Sequence, residues 1–283
     1  MNTANGIRLN KFISDSGFCS RREADKLIEQ KSVSINGKLP ELGARVSPGD
    51  VVIVDGKRIK NSTANKSDRI YLAYNKPVGI TSTTERSVHG NIIDAIGHKQ
   101  RIFPIGRLDK PSEGLIFLTS DGDIVNKILR AGNEHEKEYL VSVDKPLTEG
   151  FAEQMSKGIP ILNTITKPCK VIIQSRFTFK IILTQGLNRQ IRRMCEYLGY
   201  EVTRLKRTRI MNVKLGDLKP GQWRNLTPRE MAEIDSAVAG SSKTITHTGK
   251  QTHGPKKKPS KPTFKKTARK KARPQGKFSK KQS

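Results

Sequence analysis

The sequence is poor in the residues that form cross-links and metal sites. It has only three cysteines, Cys19, Cys169 and Cys195, which lie far apart and form no Cys-x-x-Cys pair. An odd number at such spacing excludes a disulfide framework and the usual zinc motifs. The five histidines, at positions 89, 98, 135, 247 and 253, show no metal-ligand spacing either. The sequence therefore predicts no bound metal.

Long apolar runs are missing as well. No stretch approaches the roughly 18 to 20 apolar residues that a membrane-spanning helix needs. The first twenty residues lack the continuous apolar core of a signal peptide. These absences predict a cytoplasmic protein with no membrane partner. The 283 residues are enough for more than one domain, but not for many.

Acidic residues are scarce: 26 Asp and Glu stand against 54 Lys and Arg, for a formal net charge of +28. Residues 241–283 contain 15 basic and no acidic residues, which leaves +13 on the first 240 residues. A body this basic predicts a nucleic-acid partner, because neutralised phosphates release counterions. The tail has almost no apolar residues, so we predict that it is disordered and tethers phosphate backbones nonspecifically.

Residues 7–60, after a loose lead over residues 1–6, have the pattern of two short helices followed by small strands. Leu9, Phe12 and Ile13 share one helical face. Ser20 and Glu23 have the spacing of a capping box at the start of the second helix. The dipeptide Asn36-Gly37 then suits a tight hairpin turn.

The segments Leu-Asn-Lys-Phe-Ile, Cys-Ser-Arg-Arg-Glu-Ala-Asp and Val-Ser-Ile-Asn-Gly-Lys within this region resemble the S4 RNA-binding module. The resemblance implies that the module binds RNA. Its candidate contacts are the basic residues of the two helices and their approach: Arg8, Lys11, Arg21, Arg22 and Lys26. For each of them singly, a solvated helix face remains the alternative.

A polar linker is predicted over residues 61–68, followed by a second domain over residues 69–240. Strands are predicted at 70–74, 137–143, 170–174, 177–184 and within 202–213, and helices at 92–96, after 123 and at 228–239. Thr148 is expected to cap a helix that ends at Gly158, and Asn188 to cap another. Trp223 is expected to anchor the core.

The stretch from Gly106 to Leu115 places Asp109 in a basic, glycine-punctuated loop before an apolar strand. The simplest interpretation is a solvated loop carboxylate. The alternative is functional: Gly106 and Gly114 permit unusual backbone conformations, so that the loop presents Asp109 to a ligand whose phosphate meets Arg107.

Gly-Arg-Leu-Asp, two variable residues, Ser, one residue and Gly-Leu resemble the nucleophile motif of the pseudouridine synthases that modify bacterial ribosomal RNA. Two further motifs follow in that family's order. Tyr139 lies in a Lys-Glu-Tyr strand about thirty residues later, and Arg192 lies in a Gln-Ile-Arg segment of a later helix. A strand Tyr is usually core and a helix Arg usually solvated, so the order and spacing carry the resemblance.

The resemblance implies an α+β fold: an S4-like domain, and a synthase domain whose mixed, largely antiparallel sheet is flanked by helices. It implies Asp109 as nucleophile and Arg192 as its ion partner. Tyr139 would stack on the base and handle the proton at C5, while Arg107 would either fill the gap left by the flipped nucleotide or hold the RNA backbone. Arg189 and Arg193 are phosphate candidates. No cofactor is required, because the isomerisation has no net redox change.

The implied partner is 23S ribosomal RNA, at a uridine in a hairpin or loop, with a tRNA anticodon loop open as a second substrate and a monomer as the default. Two rivals remain. One is a non-catalytic S4-bearing factor for ribosome assembly. The other is a hydrolase that uses Asp109 against a phosphate or ester. Such an enzyme would require a metal cluster or an adjacent base.

Overall fold

A computed structural model of the chain describes residues 6–60, 69–130 and 134–240. The predicted linker at 61–68, the predicted tail at 241–283 and most of the predicted lead lie outside these ranges. Within them, every helix is too short or too polar to span a membrane. The predicted domain boundaries stay a prediction.

The N-terminal module consists of two helices and two small sheets. Its elements are β1 (Ile7–Arg8), α1 (Leu9–Asp15), α2 (Arg21–Glu29), β2 (Val33–Ile35), β3 (Arg45–Val46), β4 (Val52–Val54) and β5 (Lys57–Ile59). The predicted capping box is present, since Ser20 and Glu23 each accept the other's backbone N–H. Asn36 and Gly37 both have positive φ, at 50° and 78°, as the predicted turn requires. A small apolar core joins both helices to the strands.

The rest of the described chain forms a large sheet with helices packed on it. Its elements are β6 (Tyr71–Lys76), α3 (Ile92–Ile96), β7 (Phe103–Ile105), β8 (Glu113–Thr119), α4 (Gly122–Leu129), β9 (Lys137–Val143), α5 (Phe151–Ser156), β10 (Pro160–Ile161), β11 (Thr164–Ile165), β12 (Lys170–Ser175), β13 (Thr178–Leu183), α6 (Gln190–Tyr197), β14 (Val202–Ile210), β15 (Val213–Lys214), β16 (Trp223–Asn225) and α7 (Pro228–Ala239).

The nine-stranded sheet has the order β12-β13-β9-β14-β8-β6-β16, with β15 paired to β14 and β7 to β8. All of these pairs are antiparallel except β14 with β8, which is parallel. The predicted α+β class and largely antiparallel mixed sheet are therefore confirmed. Helices α5 and α6 pack on the β13-β9-β14 half, and α4 and α7 pack on the half around β8. The middle of the sheet, where β9, β14 and β8 adjoin, lies between the two cores.

Three local expectations are wrong. Gly150, with a φ of 81°, caps α5, while the Thr148 hydroxyl bonds to the Tyr200 hydroxyl at 3.1 Å. Arg189 rather than Asn188 caps α6, in a left-handed conformation with a φ of 50°. Trp223 lies on the edge strand β16 and is 39% exposed, because that strand has a partner on one side only.

Candidate functional site

The loop between β7 and β8 is held by the segment that follows β6. The Ser82 hydroxyl donates to the Leu108 carbonyl at 2.9 Å and accepts from the Leu108 amide at 3.2 Å. The Gly79 amide donates to the Lys110 carbonyl at 2.9 Å. The backbone on both sides of Asp109 is thus fixed, so the carboxylate is presented from a loop of defined shape.

Gly114 allows β8 to lie unusually close to β14. Its φ is 108°, and a Cβ at this position would lie 2.3 Å from the Arg207 carbonyl oxygen and 2.6 Å from the Arg207 nitrogen. Gly106, with a φ of 82°, would bring a Cβ to 2.9 Å from a methyl group of Leu129. Both glycines thus have the unusual backbone conformation that the sequence predicted, and both also allow a neighbour to approach closely.

Asp109 is partly buried, with 32% of its side chain exposed. Its Oδ2 lies 3.9 Å from Nη1 of Arg189. Arg189 is the residue with left-handed backbone at the start of α6. Non-glycine residues in this conformation are strained by roughly 1 kcal/mol or more and cluster at functional sites. The strained backbone directs the chain into α6 beside the carboxylate.

Arg192 ties the loop to the start of β14. Its Nη2 donates to the Pro111 carbonyl at 3.3 Å and to the Ser112 hydroxyl at 3.2 Å, and its Nη1 donates to the Val202 carbonyl at 3.0 Å. Among the described residues, the carboxylate of Asp109 has an ion pair within 4.0 Å with Arg189 and not with Arg192. The Arg192 side chain therefore holds the backbone of the loop that carries Asp109.

The charge of Asp109 nevertheless acts on Arg192. Burial lowers the pKa of the Arg192 guanidinium most, and the neighbouring charge of Arg189 lowers that pKa further. Asp109 acts in the opposite direction and raises it. Two arginines and one carboxylate thus form a single electrostatic group, in which the positive charge exceeds the negative.

Tyr139 lies on β9, directly opposite Arg207 of β14 in the strand register. Its side chain is half-buried, and the Arg207 guanidinium carbon lies 5.9 Å from the centre of its ring. This is within cation–π range. An aromatic ring at this place offers a face on which a planar base can stack.

A cleft of about 370 Å³ joins these residues. The predicted site residues that line it are Arg107, Asp109, Tyr139, Arg189 and Arg192. This volume lies at the lower end of the range for small-ligand sites. Arg193 is not among the lining residues, and its Nε donates to the Asn188 carbonyl at 3.2 Å. A larger cavity of about 840 Å³, between Arg69, Asp121 and α7, contains none of the predicted site residues.

Sequence reasoning missed two basic residues of the cleft, Lys137 and Arg207. They are only 7% and 4% exposed. Lys137 Nζ donates to the His135 carbonyl at 3.0 Å, and Arg207 Nε donates to the Leu115 carbonyl at 2.6 Å. Burial and then the charge of Arg207 lower the pKa of Lys137 to about 8. The alternation of β9 could have revealed Lys137, because residues two apart in a strand share a face with Tyr139.

Lys76 is a third buried cation, at the end of β6 near the loop that carries Asp109. It is 0% exposed, and its Nζ donates to the carbonyls of Pro77 and Ile80, both at 2.8 Å. Burial lowers its pKa to about 8, although Asp109 and Glu113 act to raise it. Lys76 therefore fastens the turn that braces the loop.

The candidate RNA contacts of the N-terminal module lie away from the cleft lining. Four of them are exposed: Arg8, Arg21, Arg22 and Lys26. The fifth, Lys11, pairs with Asp15 and lies 3.4 Å from the Asp123 carboxylate of α4. Their contacts with RNA stay a prediction, and Lys11 is the one already engaged within the protein.

Two family models match the chain: the S4 domain over residues 7–52, and the RNA pseudouridylate synthase family over residues 70–197. The dual-specificity RNA pseudouridine synthase RluF of Salmonella typhi is 59% identical, covering 86% of this chain and 83% of its own. The RluF of Escherichia coli K12 is 58% identical, covering 84% and 82%.

More distant proteins match over similar lengths. The ribosomal large subunit pseudouridine synthase B of Bacillus subtilis is 34% identical, covering 80% of this chain and 95% of its own. A crystal structure of a pseudouridylate synthase, 28% identical, superposes with a TM-score of 0.59 over 81% of this chain and 99% of the other. The cleft thus lies in a fold shared with enzymes of known chemistry.

Proposed function

Since the chain belongs to the RNA pseudouridylate synthase family, as an S4-bearing isomerase of ribosomal RNA, we propose that its target is a uridine of 23S RNA and its nucleophile Asp109. The relative from Bacillus subtilis, which is named for the large ribosomal subunit, supports this choice of RNA. The RluF relatives are named for dual specificity, which supports a second substrate, and we propose a tRNA anticodon loop.

One observation carries the assignment of Asp109. Among the described residues that line the cleft it is the one carboxylate, and the other charged residues there are arginines and a lysine. Its loop is held by Ser82, Gly79 and Arg192. A fixed loop holds a reacting group in a productive geometry. The surrounding positive charge offsets the repulsion between a carboxylate and an RNA phosphate backbone.

The reaction breaks the bond between N1 of the base and C1′ of the ribose, rotates the base and joins C5 to C1′. C5 then loses its proton and N1, which kept the electron pair of the broken bond, takes up a proton, so atoms and electrons balance without a cofactor. Asp109 either adds covalently or abstracts a ribose proton, and both courses need an ionised carboxylate shielded from water. Tyr139 stacks on the freed base, and its hydroxyl takes the proton from C5.

The arginines have separate tasks. Arg192 positions the loop through the carbonyls of Pro111 and Val202. Arg107, exposed at the rim of the cleft, fills the gap left by the extruded nucleotide. Arg189 and Arg193 meet phosphates, and the exposed cations of the N-terminal module hold the flanking RNA. Extrusion costs a few kcal/mol, least for an unpaired base, so a loop uridine is the expected target.

Release of tritium from 23S transcripts labelled at C5 of uridine tests the proposal. Wild-type protein should release tritium equivalent to one uridine per transcript and leave pseudouridine in the RNA. Asp109→Asn should release none while still binding the transcript in a filter assay. An anticodon stem-loop transcript tests the second substrate in the same way.

Each rival gives a different result. A non-catalytic assembly factor binds the transcript and releases no tritium, whether Asp109 is intact or replaced. A hydrolase produces cleaved RNA or a lost base without pseudouridine. Either result with wild-type protein on all candidate RNAs would overturn the assignment. Sedimentation of the free protein tests the monomer that we propose as the acting species.

A further inference from the structure

Two buried cations of the cleft have no counter-ion. In the described part of the chain, neither Lys137 nor Arg207 has an acidic group within 4.0 Å. The Nη2 atom of Arg207 is fully buried and has no hydrogen-bond partner. The bond from Lys137 goes to one backbone carbonyl, that of His135.

Folding alone does not explain this pair. A buried charge without a partner is unfavourable by several kcal/mol, and apolar residues of similar volume usually serve a core as well or better. Arg207 is 4% exposed and Lys137 is 7% exposed, and both line the cleft. A buried donor without a partner calls for an explanation in a native structure, and a role in catalysis is one such explanation.

The position of the two cations relative to Tyr139 limits the kind of acceptor that they could bind. Lys137 precedes Tyr139 by two residues on β9, so both side chains lie on one face of the sheet. Arg207 is the direct neighbour of Tyr139 across the strand pair, with its guanidinium carbon 5.9 Å from the ring centre. The two cations therefore flank the ring on which the base stacks under the proposed function.

The reaction creates an anion at that place. When the bond from N1 to C1′ breaks, its electron pair stays on the base, and the negative charge spreads to the oxygens O2 and O4. Fixed positive groups that face developing charge in a water-poor site are among the largest contributions to catalysis. Asp109 is itself negative and cannot supply this stabilisation.

We propose that the positive charges of Arg207 and Lys137 stabilise the uracil anion while it is detached from the ribose. The idea rests on the proposed function and adds two catalytic residues to it. Rotation of the base explains why there are two. A half turn about the line through N3 and C6 brings C5 to the former place of N1 and exchanges O2 with O4. Two cations flanking the ring then meet an oxygen in either orientation.

A phosphate is the competing acceptor, and burial argues against it. Bridging phosphates stay attached to the RNA backbone and remain near the rim when a base enters a cleft. Arg107 is exposed and Arg189 has 46% of its side chain exposed, so these residues suit phosphates. Only the extruded base reaches the depth of Arg207 and Lys137.

The test compares two substrates in single-turnover reactions with excess protein: an RNA with uridine at the target, and the same RNA with 5-fluorouridine. Fluorine withdraws electrons and makes the detached base a weaker base, so this anion needs less help from the protein. The readout is loss of the original nucleoside after digestion, by chromatography and mass spectrometry. Affinity is measured in parallel by filter binding at two salt concentrations.

Arg207→Gln and Lys137→Met remove one cation each. Loss of an electrostatic donor of this kind costs roughly 10²-fold in rate, and we expect that loss on uridine with RNA affinity unchanged. On 5-fluorouridine we expect the loss to shrink to roughly 10-fold, because less charge needs stabilisation. Arg229→Gln is the matched control: it removes one charge from α7, where the side chain is 91% exposed, and both rates should be unchanged.

Equal slowing on the two substrates would mean that the cations only support the fold, and would overturn the inference. Unchanged rates would overturn it as well. Weaker RNA binding with a reduced salt dependence would identify a phosphate contact instead. If wild-type protein converts neither substrate, the proposed function itself fails, which is a distinguishable result.

Folding of the variants is checked by thermal melting. Lys137→Met keeps the length of the side chain, so it decides the question if Arg207→Gln does not fold. Arg207→Lys provides the complementary case, since it keeps the positive charge but has one nitrogen in place of three. It should recover part of the rate on uridine, whereas Arg207→Gln should not.

Discussion

The N-terminal module and the cleft both carry positive charge, but they hold it in opposite ways. In the module, Arg21 and Arg22 are exposed at the start of α2. In the cleft and beneath its loop, Lys76, Lys137 and Arg207 are all less than a tenth exposed and bond to backbone carbonyls. The module exposes these arginines to water, whereas Lys76, Lys137 and Arg207 are kept away from water.

The contrast separates two uses of the same residue types. Exposed cations act through their number, since each neutralised phosphate releases counterions, and salt screens their attraction. Buried cations act through their position, because a low-polarity surrounding strengthens every interaction and penalises any misplacement. Substitutions in the module should therefore change affinity, and substitutions in the cleft should change rate or stability.

The largest effect is expected at Arg192. Arg192→Lys removes the guanidinium that bonds to the carbonyls of Pro111 and Val202, so the loop that carries Asp109 loses this support. We expect the single-turnover rate to fall by roughly 10²- to 10³-fold with RNA affinity unchanged. Tritium release and filter binding measure the two quantities.

Its neighbour provides the contrast. Arg193 is bonded only to Asn188 in the described structure and is exposed towards solvent along its guanidinium. Arg193→Lys should keep the rate and change affinity by less than about threefold. A large loss of rate in Arg193→Lys, or a normal rate in Arg192→Lys, would contradict the distinction between the two residues. In that distinction Arg192 positions the loop and Arg193 contacts a phosphate.

Next in size is a pH-dependent effect at Lys76. The pKa of Lys76 is about 8 in the folded protein, whereas its ordinary value is 10.5. Between about pH 8 and pH 10.5 the unfolded chain therefore binds a proton at this lysine that the folded protein does not bind. Stability contributed at this site therefore rises as pH increases from about 8 to about 10.5. Relative to Lys76→Met, the wild type should gain on the order of 2–3 kcal/mol over this range.

Denaturant unfolding of both proteins at pH 7.5 and 10.5 measures the gain. Other groups with shifted pKa, such as Cys169 and Tyr71, are common to both proteins and cancel in the difference. A difference that does not change with pH would mean that Lys76 is not kept from water as its burial implies.

A smaller effect is expected in the N-terminal module. Replacing both Arg21 and Arg22 by Gln should weaken RNA binding by roughly tenfold and lower the salt slope by about 1 to 2. The rate at saturating protein should stay the same. Lys11→Gln should weaken binding less, because its ammonium is shared with Asp15 and Asp123. A rate defect in the double variant would show that the module also shapes the cleft.

The smallest effect is expected from an uncharged change in the same module. Ser20→Ala removes the hydroxyl that accepts the Glu23 amide and should cost about 1 kcal/mol of stability. The salt slope of RNA binding should not change. A changed slope would mean that the exposed arginines of α2 depend on the cap for their placement.

Regular elements were predictable where the signal is local. The helices at 92–96 and 228–239 and the strand at 137–143 have the predicted bounds. In each, periodicity agrees with the packing that the fold provides. The start of α6 was not predictable, because the Gln190 side chain reaches back to the Leu187 amide at 3.0 Å while Arg189 takes a strained backbone.

The cleft was predictable only in part. Asp109, Tyr139 and Arg192 do line one cleft, as their order along the chain predicted. The partners of Arg192 were not predictable, since Pro111 lies 81 positions away and a pairing at that distance depends on the whole sheet. Lys137 and Arg207 were missed because basic residues are almost never fully buried, so that a strand pattern treats them as outward-facing.

Gly114 has no functional group, yet the structure is sensitive to any substitution at this position. A single added methyl group must push apart β8 and β14, and Arg207, the residue it would strike, lies directly opposite Tyr139. The disturbance would therefore reach Tyr139 from outside the cleft. In an activity screen of random point mutants, substitutions at position 114 should therefore be as damaging as substitutions at Asp109. No residue other than glycine should be tolerated there.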